Sequence, residues 1–126
     1  IGDFSQPKVR LPGGAGSAAL LPTVKRAILW RTKHDQKGFV DQLDFHTGAG
    51  NVDKVITPLG VFSKEEGLLK LWRLFPGHTI AEVEENTGFE LQLSDDFAFS
   101  PEPSAKELEL LNYLDPDQVR LVEFAR

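Results

Sequence analysis

Between Lys8 and Leu21 the chain reads KVRLPGGAGSAALL: a β-rich run stops at Pro12, turns through Gly13, Gly14 and Gly16, and reopens in small helix formers. Glycine tolerates positive φ and keeps a Cβ out of the way of an approaching group. A helix that starts at such a turn points free N–H groups and a partial positive charge into it. Phosphate, pyrophosphate or a developing oxyanion are the natural occupants of that geometry. A plain strand-to-helix turn uses the same glycines, so a ligand cradle and a structural turn both fit the motif.

Other chemistry-bearing residues are less pointed. Lys25, Arg26, Arg31, Lys33 and Lys37 gather around His34 shortly after the glycine turn. Such a cluster serves as a solvated face or as a phosphate contact. His34, His46 and His78 have no ligand-like spacing and no cysteine or clustered carboxylate beside them, so no metal is assigned. Glu82, Glu84 and Glu85 fall in the first turns of an expected helix, where capping and the helix dipole account for them without acid–base chemistry.

The elements that must hold these residues alternate along the chain. Lys8–Leu11 reads as a strand end, Gly16–Thr23 as a short helix, and Ala27–Thr32 as a nearly continuous apolar strand of the kind found in covered sheets. Phe39–Phe45 reads as another strand or edge. After a loop at Gly48–Asn51, the run Lys54–Phe62, the turn Lys64–Gly67 and the run Leu68–Phe75 predict an antiparallel hairpin. Pro76-Gly77 breaks that strand, Thr79 caps a helix with Glu82 completing a capping box, and Gly88 closes it. Phe89–Leu93 is expected as a strand and Asp95–Pro103 as a loop. Ser104 and Glu107 then start a second capped helix whose Leu108, Leu111 and Leu114 share a face, until Asp115-Pro116 ends it.

Composition limits the partners. With 126 residues, 40% hydrophobic and 26% charged, the chain suits one soluble globular domain. No apolar run approaches the roughly 20 residues that cross a bilayer, and the start lacks a signal-peptide pattern, so the cytoplasm is the default expectation. A net charge of −5 argues against nucleic acid as the main partner. Cysteine is absent, which excludes disulfides and thiolate metal sites, and the lack of methionine suggests part of a longer polypeptide.

The segments VRLPGGAGSAALL, KHDQKGFVDQLDF, DKVITPLGVF and LFPGHTIAEVEENTGFEL, in that order and spacing, resemble the C-terminal half of the B-type subunit of class I coenzyme A-transferases, nearest the glutaconate and 3-oxoacid type. The Pro-Gly turn, capped helix and Asn-Thr-Gly end form the most specific unit. The resemblance implies an α/β fold, a three-layer α/β/α sandwich with a mostly parallel sheet and a β-hairpin. Residues 1–94 would be the C-terminal portion of the B-type domain and 95–126 its helical extension. It implies an enzyme that moves coenzyme A between carboxylic acids, an A-type partner subunit, and an N-terminal half outside this sequence. In that family a glutamate attacks an acyl-CoA thioester and passes through an anhydride to an enzyme-CoA thioester. By the resemblance this nucleophile lies before Ile1, which leaves Gly13, Gly14 and Gly16 to line the CoA thioester region and donate backbone N–H groups. Coenzyme A is thus expected as substrate, with no covalently held cofactor.

Two departures from the family pattern bear on the site. Ala15 stands where similar proteins usually carry glycine, and His46-Thr47-Gly48-Ala49-Gly50 stands where they tend to show an apolar residue, Thr, Ser, Pro and Gly. A related branch lacks the glutamate and hydrates or hydrolyses ring-derived CoA thioesters. Two other classes stay open. Gly14–Ala19 fits the dinucleotide fingerprint G-x-G-x-x-A with Asp35 about twenty residues beyond, and the hairpin and capped helices also suit a non-catalytic interaction module.

Overall fold

The structure, a computed structural model, describes residues 5, 6, 14–43, 46 and 48–124. Runs rich in Val, Ile, Leu and Phe pair into a five-stranded sheet whose spatial order follows the chain: β1 (Ala27–Trp30), β2 (Val52–Ile56), β3 (Gly60–Glu65), β4 (Leu68–Leu74) and β5 (Gln92–Phe99). β1 runs parallel to β2 and β4 parallel to β5, whereas β2/β3 and β3/β4 are antiparallel. The α/β class stands, but the sheet is evenly mixed rather than mostly parallel. The reason is a second hairpin inside the run Lys54–Phe62. Thr57-Pro58-Leu59-Gly60 turns the chain, with the Thr57 N–H donating to the Gly60 carbonyl at 2.9 Å. Proline at the second turn position and glycine at the fourth favour that bend. The expected hairpin turn tightens to Glu66-Gly67, whose φ values of 52° and 88° suit the right-handed twist of the flanking strands.

One face of the sheet carries the core. Val55 pairs with Phe62 and Phe62 with Leu71, so the three side chains stack across neighbouring strands. Phe62, Leu71, Leu74 and Val83 are fully buried, and Phe39, Val55 and Leu59 nearly so. Each such side chain contributes roughly 1.5–3 kcal/mol by leaving water. Val83 comes from α2 (Ile80–Asn86) and Phe39 from the β1–β2 connection, so both crossovers close over this face.

Several boundaries differ from the sequence expectations. Phe39–Phe45 forms no strand within its described residues; Val40 makes a single bridge to Gly88. Thr79 Oγ1 accepts from the Glu82 N–H at 3.1 Å, but the Glu82 carboxylate bonds His78 Nδ1 at 2.9 Å instead of completing the box. Gly88 does not close α2. Thr87 is its C-cap, and a Cβ on Gly88 would lie 2.5 Å from the Phe39 carbonyl oxygen, so this glycine permits close packing of the crossover. β5 occupies much of the expected loop after Asp95. Its exposed Asp95 and Asp96 are tolerated on an edge strand, and Arg73 Nη1 donates to the Asp96 carbonyl at 2.6 Å. α3 (Ala105–Leu114) has the full capping box of Ser104 and Glu107 but buries no residue. A 3₁₀ segment, Val119–Phe124, follows it. The expected strand end Lys8–Leu11 lies outside the described residues.

Candidate functional site

Small residues carry the chain from the glycine turn straight into α1 (Ala15–Thr23). Gly14 is its N-cap, at φ −63° and ψ −14°, with no side-chain cap and no acidic residue in the first turn. Among the described residues no capping side chain claims the first-turn N–H groups, which carry the positive end of the helix dipole. Beside it lies a hollow of about 260 Å³ lined by Gly14, Ser17, Ala18, Leu21, Leu43, His46 and Gly48. Leu21 and Leu43 are its large apolar lining residues, and Ser17 and His46 are the lining residues whose side chains can hydrogen-bond.

The far wall is pinned to α1. The Asn51 N–H donates to the Leu21 carbonyl at 3.3 Å and Asn51 Nδ2 to the Val24 carbonyl at 2.8 Å. Gly50 makes this approach possible, since a Cβ there would stand 2.1 Å from the Leu21 carbonyl oxygen. The loop Gly48–Asn51, read from sequence as a connector, is thus packed against α1 and its end, and its Gly48 lines the hollow.

Of the expected site residues, Gly14 lines the hollow. Gly16 sits in the exposed first turn of α1, where a Cβ would meet nothing within 4 Å, and it does not line the hollow. Gly13 lies outside the described residues. Ser17 and His46 were not expected there. His46 stands at the position where the sequence departs from the family pattern, and that substitution was the one signal for it.

The other candidates disperse. Arg26 pairs with Asp53 at 3.3 Å on the sheet face opposite the core, while Lys25, Arg31, Lys33 and Lys37 are exposed and share no common target among the described residues. The dinucleotide reading loses its acid: Asp35 Oδ1 accepts from the Gly38 N–H at 2.8 Å in a local turn. Glu84 and Glu85 are exposed on α2. His34 turns inward, stacked on Phe39 with ring centroids 4.1 Å apart.

The sheet face opposite the core holds a larger hollow, about 570 Å³, lined by Arg26, Ile28, Asp53, Lys54, Ile56, Val61 and Trp72. Lys54 Nζ and the Arg73 guanidinium stand 4.5 and 3.9 Å from the Trp72 ring centroid, so cations already occupy that indole. Nearby, Glu65 accepts from Ser63 and from Ser94 and pairs with Lys70 at 3.7 Å. The two serine hydrogen bonds hold its carboxyl below the usual glutamate range. These groups satisfy one another, and the glycine-turn hollow is the better site.

Sequence comparison decides the family. The coenzyme A transferase family model matches residues 1–88. The chain belongs to the coenzyme A transferase family. It is 30% identical to the B-type subunit of 3-oxoadipate CoA-transferase from Pseudomonas knackmussii, over 91% of this chain and 51% of that protein. It is 25% identical to the B-type subunit of glutaconate CoA-transferase from Acidaminococcus fermentans, over 94% of this chain and 51% of that one. The cholesterol ring-cleaving hydrolase IpdB subunit of Rhodococcus jostii is 30% identical, over 95% of this chain and 54% of its own length. The solved IpdAB structure superposes with a TM-score of 0.81 and 27% identity, covering 95% of this chain and 55% of that one. The chain spans about half the length of the relatives it matches.

Proposed function

We propose that the chain is part of a B-type subunit of a glutaconate or 3-oxoacid CoA-transferase, which moves coenzyme A between an acyl-CoA and a carboxylic acid. The observation that carries this reading is the hollow at the uncapped start of α1 in a chain of this family. Gly14, which lines the hollow, would lie along the thioester with Gly13 and Gly16 beside it in the chain, their backbone N–H groups toward its oxygen, where preorganised donors stabilise developing negative charge. The Ser17 hydroxyl and His46 imidazole would meet the polar end of the acyl group. No glutamate of this sequence matches the family's nucleophile, which the resemblance puts before Ile1. The acid–anhydride chemistry would therefore need an N-terminal half and an A-type partner subunit, in the cytoplasm, with a helical extension of the same domain that begins after β5, at α3, and not at residue 95.

The test is thermal stabilisation of the assembled enzyme by coenzyme A. Ligand at a hundred times its Kd stabilises a folded protein by about 2.7 kcal/mol. A clear rise in melting temperature is expected, and Ser17→Val should reduce it. An interaction module would show no rise. The relation to the hydrolase IpdB subunit favours a second reading, thioester hydrolysis or hydration without an acceptor acid. Release of free coenzyme A in the absence of acceptor would select that branch over transfer.

A further inference from the structure

We infer that His34 is a proton-sensitive clamp that ties the β2–β3 turn to the end of α2 in its neutral state and loosens that turn when it takes up a proton. The ring lies between Phe39, stacked at 4.1 Å, and Phe62, tilted at 5.4 Å. Its Nδ1 is 3.0 Å from Thr57 Oγ1 and its Nε2 is 3.0 Å from Thr87 Oγ1. Both threonines are buried, at 2% and 5% exposure, so water does not substitute for a missing bond.

The directions of these bonds follow from counting protons. The Thr87 hydroxyl donates to the Val83 carbonyl at 2.7 Å, so it must accept from His34, which puts the ring proton on Nε2. Neutral imidazole then leaves Nδ1 bare, and the Thr57 hydroxyl donates to it. Thr57 Oγ1 in turn accepts from the Leu59 N–H at 3.2 Å and the Gly60 N–H at 3.3 Å, which fills both of its lone pairs. This single tautomer satisfies every group.

Protonation breaks that arrangement. A proton from solvent on Nδ1 makes it a third donor aimed at Thr57 Oγ1, which has room for two. The Thr57 proton must then swing to the Gly60 carbonyl, at the longer distance of 3.3 Å, and one turn N–H loses its acceptor. Among charged groups, Asp35 on the same segment favours the imidazolium, but burial outweighs it and holds the ring below the ordinary histidine value of 6.5. The elements packed against the ring face it with Thr57, Phe39, Phe62 and Thr87, none of them charged. Arg31, Lys33, Lys37, Glu84 and Glu85 are exposed. A base whose folded pKa is depressed gives stability that is complete above its unfolded value and lost as pH falls toward the folded one. The clamp therefore weakens below about pH 6.5.

Ring ¹⁵N spectra of the full chain at about pH 7.5 should show His34 as the Nε2–H tautomer, titrating below the ordinary histidine range. An Nδ1–H tautomer, or a ring pKa at or above the ordinary value, overturns the clamp. Amide exchange, corrected for intrinsic rates, gives the second readout. Protection at Leu59 and Gly60 should fall about tenfold between pH 7.5 and 5, the size of one hydrogen bond lost. His34→Gln keeps one donor and one acceptor but cannot titrate, so its protection should stay flat over that range. Equal losses in both proteins overturn the inference, and the ring spectra of the unaltered chain decide it even where the variant folds poorly.

Discussion

At the scale of single residues, the two glycines beside the hollow separate ligand contact from packing. Gly16 has open space where a Cβ would go, and valine is a better helix former than glycine. Gly16→Val should therefore leave the melting temperature of the assembled enzyme within a few degrees. If the first-turn N–H groups serve the thioester, the branched side chain should slow enzyme-CoA thioester formation by orders of magnitude, since losing one oxyanion donor costs roughly 3 to 4 kcal/mol. Unchanged turnover and coenzyme A binding would make the turn purely structural. Gly50 is the converse case. Gly50→Ala drives a methyl group into the Leu21 carbonyl and should cost about 1–3 kcal/mol of overpacking strain. A drop in the denaturant midpoint at constant slope would register it, and an unshifted midpoint would show that the loop stands further from α1.

At the scale of elements, α3 owes its start to one device. The Ser104 hydroxyl accepts from the Glu107 N–H, and the Glu107 carboxylate accepts from the Ser104 N–H at 2.8 Å. The helix buries nothing, and a lone helix of this length is marginal in water. Ser104→Ala, worth about 1 kcal/mol at a cap, should speed amide exchange along α3 while the global melting point hardly moves. A fall of several degrees in the global transition would mean that α3 is packed in solution. The two Ser104 hydrogen bonds hold the Glu107 carboxyl below its ordinary range. Because both pKa values are lowered, the sign is the same as for His34: the cap is whole above the ordinary glutamate value, and α3 protection is lost as pH falls below it. The starts of α1, α2 and α3 were legible because capping chemistry is local: Thr79, Ser104 and the glycine turn announce them within four residues. The turn at Thr57–Gly60 was equally local and was masked by the apolar residues around it. Phe39–Phe45 misled because Phe39 packs on residues of other elements, Phe62 among them, and Val40 makes only one bridge, to Gly88. The hollow depends on the approach of Gly50 to Leu21 across a long connection, and no spacing along the chain encodes that.

At the scale of the whole molecule, one sheet face is closed by the crossovers and the other is open among the described residues. Trp30 is 54% exposed and Ile28 51%, with Phe124 as the aromatic neighbour of Trp30 at 5.6 Å. Apolar surface of this kind finds a partner. Light scattering of the chain alone should give a mass above that of a monomer, and Trp30→Lys should lower it; a monomer at all concentrations would mean that this face tolerates water. The strand order has a consequence in time. Because β2, β3 and β4 are joined by two tight turns, their pairing closes only short loops, whereas β1 and β5 reach the sheet through long connections. Short loops close at least entropic cost, so the central meander forms early and the two parallel edges dock late. Phe62→Leu, at the centre of the meander, should slow refolding in proportion to the stability it removes, with a φ-value above about 0.5. Leu29→Ala, in β1, should leave the refolding rate nearly unchanged and speed unfolding, with a value below about 0.3. The protein would thus assemble its core sheet before the segment that carries His34, Phe39 and His46 is fastened over it.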